Sequence, residues 1–185
     1  MTVRVLRAAG RRAVPWKNGG GITREIAAAP EGAAVEAFAW RVSLADVVAD
    51  GPFSVFPDVD RILTVVAGTG MDLTVGDGCR VLAERHAPRC FPGDLPTEGR
   101  LLEGPVVNLN VMVRRGAVAA TVAVVRGGRP VTVPDGATVL VVALGGTARL
   151  GGTELAPYDA ALCTRSPGEL HARGHAAVIT LHPLG

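Results

Sequence analysis

Period-two alternation of apolar and polar residues is the dominant pattern along this chain, and it predicts strands. In Trp40-Arg41-Val42-Ser43-Leu44, Trp40, Val42 and Leu44 share one face while Arg41 and Ser43 share the other. From Asn108 to Arg114, Leu109, Val111 and Val113 face one way; Asn108, Asn110, Met112 and Arg114 face the other. Nearly continuous apolar runs at 62–67 and 139–144 read as buried strands that end at Gly68 and Gly145. Gly76-Asp77-Gly78 and Gly127-Gly128 read as hairpin turns. The one helical expectation is a single turn over residues 43–49, begun by Ser43 or Asp46. Short strands at this spacing point to an all-β sandwich or barrel.

A repeat lies beneath the strand pattern. At an offset of 77, Pro57-Asp58 falls on Pro134-Asp135, Leu63 on Leu140, Val65 on Val142, Gly68 on Gly145 and Leu73 on Leu150. That is six identities in the 17 positions from 57 to 73, enough to imply two related β-lobes in one chain. The copies differ where chemistry would sit. Asp60 and Arg61 fall on Ala137 and Thr138, and the polar face around Asn110 and Arg114 has only the apolar 121–125 stretch as its counterpart. A site is therefore expected in a first lobe, residues 1–116, with 117–185 a structural second lobe that exchanges strands with it.

Composition narrows the classes. Of 185 residues, 48% are hydrophobic and 19% charged, which supports a packed core and excludes a disordered chain. The 24 glycines and 13 prolines leave little room for long helices. A formal net charge of +2 is too small to drive nucleic-acid or membrane binding by bulk field, so neither partner is expected. No apolar window spans a membrane, and Met1-Thr2-Val3-Arg4 lacks the core of a signal peptide. Three cysteines without a CxxC fit a reduced, cytoplasmic protein.

The rarest polar types cluster. Lys17 is the only lysine against 18 arginines; glutamine is absent; the asparagines are Asn18, Asn108 and Asn110. In an Arg- and Ala-rich chain, lysine and asparagine persist most readily where chemistry requires them, and all four lie in two short segments. Trp16-Lys17-Asn18-Gly19-Gly20-Gly21 lacks the spacing of a phosphate loop, but it offers a stacking surface, a point charge and a mixed donor and acceptor. A glycine bend at a barrel corner explains it equally well. Arg61 opens a buried strand after a Pro-Asp turn, where a guanidinium can hold a carboxylate bidentately. An ion pair with Asp58 or Asp60 is the structural alternative. His86, His171, His175 and His182 lie outside the polar strands, with no H-E-x-x-H pattern, so neither a metal nor another cofactor is expected.

Together these segments resemble the HutD/Ves family. Its N-terminal signature is similar to Pro15-Trp16-Lys17-Asn18-Gly19-Gly20-Gly21-Ile22-Thr23-Arg24-Glu25-Ile26. Trp40-Arg41-Val42-Ser43-Leu44-Ala45, Asp50-Gly51-Pro52-Phe53-Ser54, Asp60-Arg61, Pro92-Gly93-Asp94-Leu95-Pro96 and the segment from Asn108 to Gly116 follow in order. The matches run from about residue 7 to 116. The resemblance implies an all-β bicupin, two fused cupin-type β-barrel or jelly-roll lobes, and an association with histidine utilisation. Asn108 departs from the Asp that the family pattern leads one to expect, which removes a carboxylate, and with it an acid/base role, at this position.

The reading that follows is a small-carboxylate binder, a non-enzymatic governor or sensor whose ligand is of the urocanate or formylated-glutamate kind. Its expected site comprises Trp16, Lys17, Asn18, Gly19, Thr23, Glu25, Arg41, Ser43, Arg61, Asn110, Met112 and Arg114. Arg61 would hold the carboxylate, Asn18 and Asn110 would fix polar groups, and Trp16 would form an apolar wall. The alternative is a metal-independent cupin isomerase or hydrolase with Lys17 or Glu25 as proton carrier. A homodimer is the one protein partner this reading admits.

Overall fold

The computed structural model describes Val3–Gly185; Met1 and Thr2, part of the stretch read for a signal peptide, lie outside the described residues. Among the described residues there are seventeen strands and no helix, hence no helix able to cross a membrane. The chain divides into two compact units: Arg12–Ala117, and Val118–Gly185 together with the residues up to Arg11. The division falls at Ala117/Val118, and the N-terminal segment groups with the later unit rather than the first.

That grouping comes from β1 (Val3–Leu6), which pairs antiparallel with a strand more than 150 residues onward, Ala160–Cys163. In the first unit, β2 (Ala13–Pro15), β3 (Gly21–Ala29) and β4 (Trp40–Val47) are followed by β5 (Gly51–Phe53), β6 (Val59–Ala67) and β7 (Gly70–Val75). After them come β8 (Cys79–Glu84), β9 (Arg89–Pro92), β10 (Thr97–Leu101) and β11 (Val106–Arg114). They form a six-stranded sheet in the order β2-β3-β4-β11-β6-β9 and a four-stranded sheet in the order β5-β10-β7-β8. One apolar cluster draws Ala45, Leu63, Val65 and Phe91 from the first sheet and Phe53, Met71, Leu73 and Ala83 from the second. Two antiparallel sheets packed over a shared core make this unit a sandwich.

The run read at 62–67 falls within β6, a central strand paired on both edges, by β9 and β11, and buried from Arg61 to Val66. Gly76-Asp77-Gly78 does link β7 to β8 as a hairpin. Residues 43–49 do not form a helical turn. β4 continues through Asp46 to Val47, hydrogen-bonded to β3 on one side and β11 on the other, and that two-sided pairing overrides a weak local signal.

The later unit holds β12 (Val118–Val131), β13 (Thr138–Ala143), β14 (Ala148–Leu150), β15 (Thr153–Leu155), β16 (Ala160–Cys163) and β17 (Gly168–Pro183). With β1 they form one seven-stranded sheet around a core that includes Val139, Val141, Leu150 and Leu170. The apolar run at 139–144 is β13 and its continuation. Gly127-Gly128 is not a hairpin turn. Both residues lie inside β12, where the register against β17 shifts between Arg126 and Gly127, so the glycine pair marks a bulge. Cys163 is buried in this core, and burial pushes its thiol up to about 11; Cys79 and Cys90 are exposed and free.

Candidate functional site

The inner face of the six-stranded sheet carries the polar residues, and strand register arranges them in rungs. Residues directly opposite in an antiparallel pair share a face. One rung runs Arg41–Met112–Arg61–Phe91 across β4, β11, β6 and β9. The next runs Glu25–Ser43–Asn110–Leu63, and the third Thr23–Ala45–Asn108–Val65. A cleft of about 490 Å³ opens over the first two rungs, within the Arg12–Ala117 unit.

The segment between β2 and β3 builds one wall. It closes on itself through Trp16 N to Gly21 O (2.9 Å) and Gly19 N to Trp16 O (3.1 Å). Asn18 Oδ1 accepts from Gly20 N (3.0 Å), and its amide nitrogen reaches Pro52 O at 3.3 Å. The Trp16 indole donates to Thr23 Oγ1 (2.8 Å) and meets the Phe53 ring edge-to-face at 5.6 Å. Gly21 has no alternative here. A Cβ at that position would lie 2.5 Å from Asp46 O and 3.1 Å from the indole. This glycine-rich segment is thus a bend, and it places Trp16, Lys17 and Asn18 in the lining of the cleft.

Arg61 is the centre of the cleft. Only 3% of its surface is exposed, yet among the described residues no carboxylate lies within ion-pair distance of it. Its single hydrogen bond is a long one, from an Nη to Ser54 O at 3.3 Å, and Nε has no partner. Three phenylalanine rings surround the guanidinium carbon instead, Phe53 at 5.1 Å, Phe91 at 5.3 Å and Phe56 at 5.6 Å. Burial, and then the neighbouring charge of Arg41, lower its pKa to about 10. The ion pair expected as the structural alternative does not form: among the described residues neither Asp58 nor Asp60 lies within ion-pair distance of Arg61, and Asp60 is held instead by Arg115 at 2.8 Å. Arg41 is held by Glu25 at 2.8 Å, and among the described residues Arg61 and Lys17 are left as positive charge on the cleft without an ion-pair partner.

Nine of the twelve expected residues line this cleft: Trp16, Lys17, Asn18, Thr23, Arg41, Ser43, Arg61, Asn110 and Met112. Three do not. Gly19 sits in the bend with φ of 73°, and Glu25 reaches the site only through Arg41. Arg114 points elsewhere: it donates to Phe38 O (3.1 Å) and Glu36 O (2.9 Å) and stacks at 5.8 Å on the Phe38 ring. It pins the 30–39 loop, from which Val35 lines the cleft. The sequence reading missed the aromatic cage. Its signal was rarity, since the chain has four phenylalanines and each lies within 6 Å of an arginine guanidinium. Among the described residues no three His, Cys, Asp or Glu side chains converge.

Comparison with known proteins places this architecture. HutD from Pseudomonas fluorescens SBW25, in a structure of its formate condition, is 31% identical and superposes with a TM-score of 0.87 over 99% of this chain and all of that one. An uncharacterised 21.2 kDa protein in the hutC 3′ region of Pseudomonas putida is 39% identical over 111 residues, which are 60% of this chain and 57% of that protein. Protein Ves of Cronobacter sakazakii is 37% identical over 110 residues, 59% of each chain. The matched stretch thus spans somewhat under two thirds of these curated relatives. The pirin YhhW of Escherichia coli, only 8% identical, still superposes with a TM-score of 0.70, a likeness of cupin-type fold alone. The HutD family pattern itself extends over residues 8–180, and the chain belongs to the HutD family.

Proposed function

We propose that the cleft binds a small carboxylic acid and that the protein acts as a non-enzymatic sensor or governor in histidine utilisation. One observation carries the reading. Arg61 is a buried cation with a spare Nε, a long single hydrogen bond and no counter-charge. A charge desolvated without a partner is costly, and a carboxylate accepting from the guanidinium offsets that cost. The aromatic cage surrounds the guanidinium with apolar surface, where a charge-assisted hydrogen bond to a carboxylate is strong. A largely apolar pocket with a few convergent polar groups is the usual form of a small-molecule site.

The hutC-region relative supports the pathway, and urocanate and a formylated glutamate are the acids the reading favours. In it, the two compact units are two fused cupin lobes, of which only the first carries the site, in a cytoplasmic protein. Catalysis by Glu25 is disfavoured because Arg41 already engages its carboxylate. The test is a thermal-shift and calorimetric screen of histidine-pathway acids against wild type and Arg61→Lys. Ligand binding stabilises by mass action, so a true ligand raises the melting temperature with concentration. Arg61→Lys keeps a charge but loses the fork and should bind at least several-fold more weakly. Failure of every acid to shift the wild-type melting temperature would sink the reading.

A further inference from the structure

The third rung carries an observation that carboxylate binding at Arg61 does not use. Asn108 is fully buried, and both its Nδ2 and its Oδ1 lack a hydrogen-bond partner. Register places its side chain on the inner face between Ala45 and Val65, both members of the apolar cluster. Two residues further along β11, about 7 Å at the usual strand rise, Asn110 lines the cleft with its own Oδ1 unpartnered. Buried polar atoms are nearly always paired in native proteins, so three orphans on adjacent rungs of one inner face need an explanation.

We propose that the binding site extends from the cleft to Asn108 as a subsite for an uncharged group that both donates and accepts hydrogen bonds. The ligand is then an acid with an uncharged far end that both donates and accepts, which among the acids named above selects urocanate, with its neutral imidazole, over the dicarboxylate formylated glutamate. This rests on the carboxylate reading at Arg61. The three orphans are two acceptors and one donor. A primary carboxamide is their complement, with two N–H groups and one carbonyl. The conclusion does not depend on which way the Asn108 amide is turned, because either orientation presents one donor and one acceptor. An ionised carboxylate only accepts. Beside Asn108 it would face an acceptor it cannot satisfy, flanked by Ala45 and Val65 with no cation on that rung. An aspartate at this position would be acceptor-only as well, so the Asn changes which ligand terminus fits.

The experiment is calorimetric titration with three five-carbon acids that share one carboxylate and differ only at the far end: glutaramate (amide), glutarate (second carboxylate) and valerate (methyl). Wild type should bind glutaramate at least tenfold more tightly than either of the others. In Asn108→Val, glutaramate and valerate should converge to within about threefold, while the melting temperature rises because two buried orphans are gone. Asn108→Ala, which cannot overpack the site, should show the same convergence and serves if the valine variant fails to fold. Equal wild-type affinity for glutaramate and valerate would mean that solvent or nothing occupies the subsite, and would overturn the proposal. So would glutarate binding as well as glutaramate, or an amide preference that survives both variants. If none of the three acids binds wild type, the carboxylate reading itself falls, and the subsite falls with it.

Discussion

Replacing Arg61 with methionine should leave the unliganded protein at least as stable and abolish acid binding in the same step. Methionine roughly follows the course of the arginine stem and is at home among aromatic rings. What it removes is a charge held in an apolar cage without a partner. The fall of the Arg61 pKa to about 10 expresses that strain, and corresponds to roughly 3 kcal/mol against the charged form at neutral pH. Loss of attraction to the three rings and of the long bond to Ser54 O returns about 2–3 kcal/mol of this. The net gain is therefore about 0–1 kcal/mol, or up to roughly 4 °C in melting temperature for a chain of this size. Urea denaturation of wild type and Arg61→Met, each with and without a saturating acid, measures both effects. Wild type should gain stability from the acid and the variant should not. If Arg61→Met instead loses more than about 1 kcal/mol while binding is retained, Arg61 is a structural residue and the reasoning fails.

Other substitutions and conditions discriminate further. Because burial lowers the Arg61 pKa to about 10, the folded state sheds that proton more readily than the unfolded one; stability should rise, and acid affinity fall, as pH passes upward through about 10. Titrations at pH 8 and pH 10.5 check the sign, and equal affinity at both would contradict it. Glu25→Gln releases Arg41 from its ion pair and should strengthen acid binding by about two- to tenfold at low salt, an effect that added salt erodes. Gly21→Ala drives a Cβ against Asp46 O and the Trp16 ring, and should cost about 1–3 kcal/mol of stability and weaken binding, read by denaturation and titration together.

The sequence made the strand faces legible, and the site with them. Alternation from Asn108 to Arg114 put Asn110 and Met112 on one face, and register then brings Arg41, Ser43 and Arg61 beside them. Arg114 shares that alternation but sits at the strand end, where its long stem turns away to the 30–39 loop; period two predicts a face, not where a flexible side chain finishes. Lys17 and Asn18 were found through their rarity, whereas the phenylalanines, only four in the chain, were not singled out. The expected turn at 43–49 failed because Ser-Leu-Ala-Asp has a helix-start composition that two flanking strands override. The pairing of β1 with β16 carries no local signal, since it joins segments at opposite ends of the chain.

A crystal structure of the protein grown with millimolar propionate is the most direct test of the central claim. The account predicts the anion in the cleft of the first unit, with a carboxylate oxygen about 2.7–3.2 Å from a guanidinium nitrogen of Arg61 and the three phenylalanine rings still around it. An empty cleft at saturating propionate, or an Arg61 that has swung out to pair with Asp60 instead, would contradict it.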